Sequence, residues 1–288
     1  RMPDRNSGAS LNCKDLYADY VKSNSFEKTM IRCLQSLIPY LERDDEIDIQ
    51  KIMNWEEVKE IIVPELVCTR RAGENLEDLI YRNVEGTDLA IIYRVKQQVA
   101  NIVGSIKVSK QMMETWGVDE NRIHEFAFHN MNQLSTLQIV ELNSDFAMPE
   151  ETFSELPEKM NKYSSYVFTN KEAFYGAATI MEEGMLHSIA ERLQEGFYLL
   201  PMDVDNIVVY PEGMMKNLES IHSMVLIHNI QCLEPENYLS DQVYYYSKEK
   251  GELSMSTNPE NTQDVIIKIL QQAMECSPGK KEDYGEER

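Results

Sequence analysis

Short apolar runs bounded by breakers, set among stretches of helical periodicity, constrain this chain more than any other feature. Asp88–Val95 reads DLAIIYRV, apolar enough for a central strand. Phe197–Leu200 and Ile207–Tyr210 give the same signal, broken by Pro201 and closed by Pro211. Between such runs lie 3.6-residue stripes. Ile123, Phe126, Ala127 and Met131 share one helix face, and Leu186, Ile189, Ala190 and Leu193 share another. This mixture predicts an α+β fold: a helical N-terminal region followed by two sheet-containing lobes with flanking helices.

The order of signals sets the expected organisation. An N-terminal α+β lobe spans residues 1–141, with an irregular arm over 1–12 and helices within 13–62. Its strands fall at about 65–108 and further helices at 109–131. Residues 142–160 carry Pro149, Pro157 and a run of acids, and read as a linker. A C-terminal α+β lobe follows over 161–277, and 278–288 form a frayed polar tail. Finer expectations include a short helix over Asn75–Arg82, a strand over Tyr175–Met181, and Gly196 closing the Leu186–Leu193 helix. The opening Arg1-Met2 leaves what precedes residue 1 open.

Charge excludes some functions. The chain of 288 residues holds 28 Lys+Arg against 49 Asp+Glu, a net charge of −21, with the acids spread over both halves. Nucleic-acid binding needs a basic face to displace counterions, and anionic membranes repel the same surface. The reading is therefore no nucleic acid and no membrane, with an unknown protein or small-molecule partner. The five cysteines are widely spaced and form no C-x-x-C, which fits a reducing cytoplasm. No apolar run approaches the length of a membrane span.

Motifs of known chemistry are missing. The sequence has no G-x-x-x-x-G-K-[ST], no G-x-G-x-x-G and no G-x-S-x-G. His124 and His129 lie five apart, too far around a helix to grip one metal. His222 lies with Leu218 and Val225 on an apolar face, where a satisfied core histidine is the expectation. Asp203-Val204-Asp205-Asn206 is the one acidic constellation worth following. Alternate carboxylates in a turn suit a hard cation such as Mg²⁺, though Asp and Asn also favour turns through local backbone hydrogen bonds. Asp203 and Asp205 are the metal candidates. No catalytic residue and no cofactor is expected. Tyr244-Tyr245-Tyr246 reads as an aromatic strand, either with alternate rings buried or as a partner surface.

Several stretches resemble a known family. These are Tyr198–Pro211 (YLLPMDVDNIVVYP), Ala178–Leu193, Tyr238–Tyr246, Asp88–Ile92, Met113–Val118 and the opening Arg5-Asn6-Ser7. In this order, over nearly the whole chain, they are similar to the domain of unknown function family 5688 of Firmicutes, especially gut clostridia. The resemblance implies a bacterial protein with no established activity. In that family the turn after the first of the paired strands often reads Ser-Ser-x-His-Glu. Met202-Asp203-Val204-Asp205-Asn206 departs from it, which weakens a catalytic role at this turn.

The leading expectation is a non-catalytic intracellular binding or regulatory protein. The alternatives are a metal-assisted hydrolase or nucleotidyl enzyme using Asp203 and Asp205, and a structural or oligomerisation module with Tyr244–Tyr246 at an interface.

Overall fold

The computed structural model describes residues 20–22, 25–32, 49–72, 76–99, 102–134, 136–142, 149–172, 174–232, 237–258, 260, 262 and 265–267. The expected arm over 1–12, the tail over 278–288 and most of the helices expected over 13–48 lie outside the described residues.

The fold is α+β, with two antiparallel sheets and helices packed against them. The first sheet is built on the strand that the apolar run announced. That strand, β3 (Leu89–Val99), pairs on one side with β1 (Ile62–Cys68). On its other side it pairs first with β2 (Tyr81–Asn83) and then with β4 (Ile102–Lys107). Two short helices, α1 (Ile49–Ile52) and α2 (Trp55–Val58), lead into β1. The side chain of Asn54 accepts the backbone N–H of Glu56 and caps the start of α2. A third short helix, α3 (Thr69–Ala72), follows β1.

Period-two alternation divides β3 into two faces. Leu89, Ile91, Tyr93 and Val95 point into the main core, shared with Ile123, Ala127 and Met131. Those three belong to α5 (Glu120–Leu134), which follows α4 (Lys110–Trp116) after Gly117 turns the chain in the left-handed region. Ile92 points the other way, onto Leu76 and Leu79, and Arg94 and Lys96 continue that second face. Each large apolar side chain buried here contributes roughly 1.5–3 kcal/mol.

The second sheet has the order β11-β10-β8-β9-β7-β5-β6. Its strands are β5 (Leu137–Leu142), β6 (Pro149–Phe153), β7 (Ser165–Asn170), β8 (Phe197–Pro201), β9 (Ile207–Pro211), β10 (Tyr244–Ser247) and β11 (Glu252–Met255). β6, inside the 142–160 stretch, pairs with β5, and β5 also pairs with β7. Helix α6 (Met185–Leu193) buries Ile189, Ala190 and Leu193 in the main core, which includes residues of both sheets. Helix α7 (Leu218–Cys232) places Val225 on the opposite face of the second sheet, against Leu200, Val208, Tyr210 and Val243. Among the described residues no helix is long and apolar enough to cross a membrane.

Three local expectations differ from the structure. Tyr81–Asn83 is a strand, because Ala90–Ile92 offer it a ladder and Leu76, Leu79 and Ile92 an apolar cluster for Tyr81. Gly176–Met181 is a 3₁₀ helix, not a strand. A Cβ on Gly176 would lie 2.5 Å from the carbonyl oxygen of Asp205 and 2.7 Å from the amide nitrogen of Asn170, so the chain turns where only glycine fits. Gln194, at φ 64°, takes the left-handed position after α6 in place of Gly196. Gly196 has a different constraint: its Cβ would meet the Tyr245 hydroxyl at 2.4 Å.

Candidate functional site

Two charges inside otherwise apolar strands mark the site. Glu65 interrupts β1 and Arg94 interrupts β3, and both point to the second face of the first sheet. Glu65 is 5% exposed. A carboxylate that deep needs a partner. Arg94 donates from Nε to Oε2 of Glu65 and from Nη2 to Oε1 at 3.5 Å. Its Nη1 donates to Oγ of Ser105 on β4 at 2.8 Å.

The second half of the chain reaches this face through the loop after β7. Ser105 Oγ lies 2.9 Å from the hydroxyl of Tyr175. The Arg94 guanidinium sits 4.9 Å from the Tyr175 ring centroid, and the Lys96 ammonium sits 4.9 Å from that of Phe174. The two rings are themselves 4.4 Å apart. Each cation therefore covers one ring of a contiguous aromatic pair.

The loop is held under strain. Tyr175 has φ 56°, the left-handed region, where a side chain costs roughly 1–2 kcal/mol. Asn170 grips the residue before it with both ends of its amide. Nδ2 donates to the Phe174 carbonyl at 2.8 Å, and Oδ1 accepts the Phe174 N–H at 3.0 Å. Asp205 Oδ1 accepts the Tyr175 N–H at 2.6 Å. Burial raises the pKa of Asp205 above its ordinary value, and the Asp203 and Glu65 charges add to the rise. The N–H groups of Tyr175 and Gly176 oppose it. Burial also raises that of Tyr175.

The metal candidates thus have structural partners. Asp203 Oδ1 accepts the Asp205 N–H at 2.8 Å and the Asn206 amide at 2.8 Å; its Oδ2 accepts the same amide at 3.0 Å. That closes the turn between β8 and β9, and Asp205 carries the turn to the Tyr175 loop. Among the described residues no group of three His, Cys, Asp or Glu side chains is gathered as a metal would need.

The other singled-out residues lie elsewhere. His222 is buried on α7, its Nε2 2.9 Å from the Asp241 carbonyl. Burial lowers its pKa, the behaviour of a neutral core imidazole. His124 Nδ1 lies 2.9 Å from the Tyr93 hydroxyl, and its pKa is also lowered by burial. His129 is exposed. Tyr244–Tyr246 is an interior strand between β11 and β8, with Tyr244 and Tyr246 buried. Tyr245 alone turns outward, its ring 5.0 Å from that of Tyr198 and tilted 48° to it.

Tyr244 belongs to a second polar cluster that bridges the sheets. Its hydroxyl donates to Asp88 Oδ1 at 2.6 Å and lies 2.7 Å from Ser240 Oγ. Cys68 Sγ is 3.6 Å from the other Asp88 oxygen, and Arg70 is 3.6 Å from it. Beside this cluster the carbonyl of Gly86 accepts the N–H of Met255 on β11.

A family model described as Family of unknown function (DUF5688) matches residues 1–248. The chain belongs to that family. No curated protein and no solved structure shows a significant match to this DUF5688 member.

Glu65, Arg94, Ser105 and Tyr175 were not singled out by sequence reasoning. The signal was present, since a charge inside an apolar strand calls for a buried partner. The partners sit 29 residues apart for Glu65 and Arg94, and 70 apart for Ser105 and Tyr175. No local pattern joins them.

Proposed function

We propose that this DUF5688 protein is a non-catalytic binding protein of the reducing cytoplasm, and that its binding face is the Arg94–Tyr175 junction. The observation carrying this reading is the left-handed backbone of Tyr175, held by Asp205 and Asn170 at a half-open contact between the sheets. Strained residues persist where the surroundings over-determine them, and such places are enriched in ligand clamps. The chemistry on either side supports binding over turnover. Glu65 is saturated by Arg94, and Asp203 is saturated by its own turn. No nucleophile paired with a free base lies among the described residues of this face. Cys68, buried against Asp88, fits a compartment where thiols stay reduced.

The test is a thermal-shift screen of the full chain with small anions, cations, amino acids and nucleotides. A ligand that raises Tm in wild type and not in Tyr175→Ala supports the reading. Hydrolysis of a generic phosphoester, dependent on Mg²⁺ and lost in Asp203→Asn, would overturn it in favour of the metal-assisted enzyme.

A further inference from the structure

The Arg94–Tyr175 face is rich in donors whose neighbouring acceptors are already taken. Arg94 and Lys96 alternate on β3, so both point to one side. Lys107 lies opposite Arg94 and Ser105 opposite Lys96 across the β3–β4 ladder, so all four share that side. Arg94 is neutralised by Glu65. Lys96 and Lys107 have no carboxylate partner among the described residues. In a chain of net charge −21, two such lysines on one strand pair stand out.

The hydroxyls add a donor. Ser105 Oγ accepts from Arg94 and shares one hydrogen with the Tyr175 hydroxyl. Two hydroxyls carry two hydrogens, and that contact uses one. Whichever way it points, one O–H has no protein acceptor among the described residues. The guanidinium likewise keeps two of its five N–H groups, since three go to Glu65 and Ser105. Of the acids beside this face, Asp205 has Oδ1 on the Tyr175 N–H, and Glu172 lies exposed in the loop itself.

We propose that this face binds the phosphate group of a small phosphorylated molecule, held between Lys96 and Lys107 and by the free hydroxyl of the Ser105–Tyr175 pair. This rests on the binding face proposed above. Two uncommitted ammonium charges match a dianion, and ammonium groups bind phosphate as point charges. The aromatic pair beneath Lys96 fixes where that charge sits. The negative field of the rest of the molecule disfavours polyanionic surfaces, which selects a small ligand over a nucleic acid or a membrane.

Inorganic phosphate is the probe, titrated into the ¹⁵N-labelled full chain at constant ionic strength. Saturable shifts of the Ser105, Tyr175 and Gly176 amides are expected. Lys96→Gln and Lys107→Gln should each weaken binding about tenfold, the size of one lost charge-assisted contact of about 1.4 kcal/mol. Acetate, a monoanion, should leave the amides unmoved, as should phosphatidylglycerol vesicles. Phosphate shifts that match acetate's, vesicle binding at these amides, or lysine variants that bind as wild type would each overturn the assignment. If a probe of other chemistry saturates these amides while phosphate does not, the phosphate assignment falls and the binding face stands. If no probe does, both fall.

Discussion

Among the described residues the two sheets meet at two polar clusters that differ in how completely they are closed. Around Asp88 and Tyr244 the donors and acceptors form a circuit. The Tyr244 hydroxyl donates to Asp88, Ser240 Oγ lies within hydrogen-bond distance of it, and the Gln242 N–H donates to Ser240. Asp88 and Tyr244 are both buried. Around Tyr175 the circuit is open. Arg94, Ser105, Tyr175 and Asp205 are half-buried, one hydroxyl hydrogen has no acceptor among the described residues, and the backbone is strained. A closed polar cluster fixes how two sheets sit. An open one of similar composition keeps interaction capacity for something else. The contrast teaches that buried polar groups alone do not mark a site; their unmet valence does.

Glycine substitutions should have the largest effect, because each contact has a glycine where backbone meets backbone. At the closed contact Gly86 has φ 77°, and its Cβ would lie 2.2 Å from the Leu253 carbonyl oxygen. Gly86→Ala adds left-handed strain to the clash and should cost about 3–5 kcal/mol. Gly176→Ala at the open contact has the clash without the strain and should cost about 2–3 kcal/mol. Urea unfolding of the two variants measures both. Equal losses would erase the distinction at the backbone level.

Removing one hydroxyl from each contact is the sharper comparison. Tyr244→Phe strands a buried Asp88 oxygen and should cost about 1–3 kcal/mol. Tyr175→Phe removes a hydroxyl beside solvent and should cost under about 0.5 kcal/mol. Its larger effect should be on ligand affinity. If Tyr175→Phe destabilises as much as Tyr244→Phe, the open contact is only another structural one.

The smallest expected effects are in pH dependence, and they have opposite signs. His222, whose partner Asp241 adjoins Ser240, has a pKa held below 6.5 by burial. The unfolded chain then binds more protons, so this contribution is present above pH 6.5 and lost as pH falls through the lowered value. His124 acts in the same window. Asp205 at the open contact has a pKa held above 3.8 by burial. Its contribution is present below pH 3.8 and lost as pH rises through the raised value. Stability measured against pH should therefore flatten just below 6.5 in His222→Gln and just above 3.8 in Asp205→Asn. Changes of the same sign in both variants would contradict the difference in environment.

Legibility in the sequence followed range. The DLAIIYRV run and the Ile123–Met131 stripe could each be recognised because their physics is contained within a few residues. The 3₁₀ turn at Gly176–Met181 could not. Its cause is the carbonyl of Asp205 and the amide of Asn170, brought there by strand pairing. The Asp203–Asn206 turn was legible as a turn. That Asp205 turns away to hold the Tyr175 loop depends on where that loop is delivered.

By itself, then, the sequence determined the α+β class, the membership in DUF5688 and the main stripes of core residues. Hydrophobic period and breaker residues act locally, and a family pattern is carried by the residues themselves. Tertiary structure decided which charges became partners and which donors stayed free. Glu65, Arg94, Ser105, Tyr175 and Asp205 come from five separate segments, and only the meeting of two sheets gives them a common hydrogen-bond network.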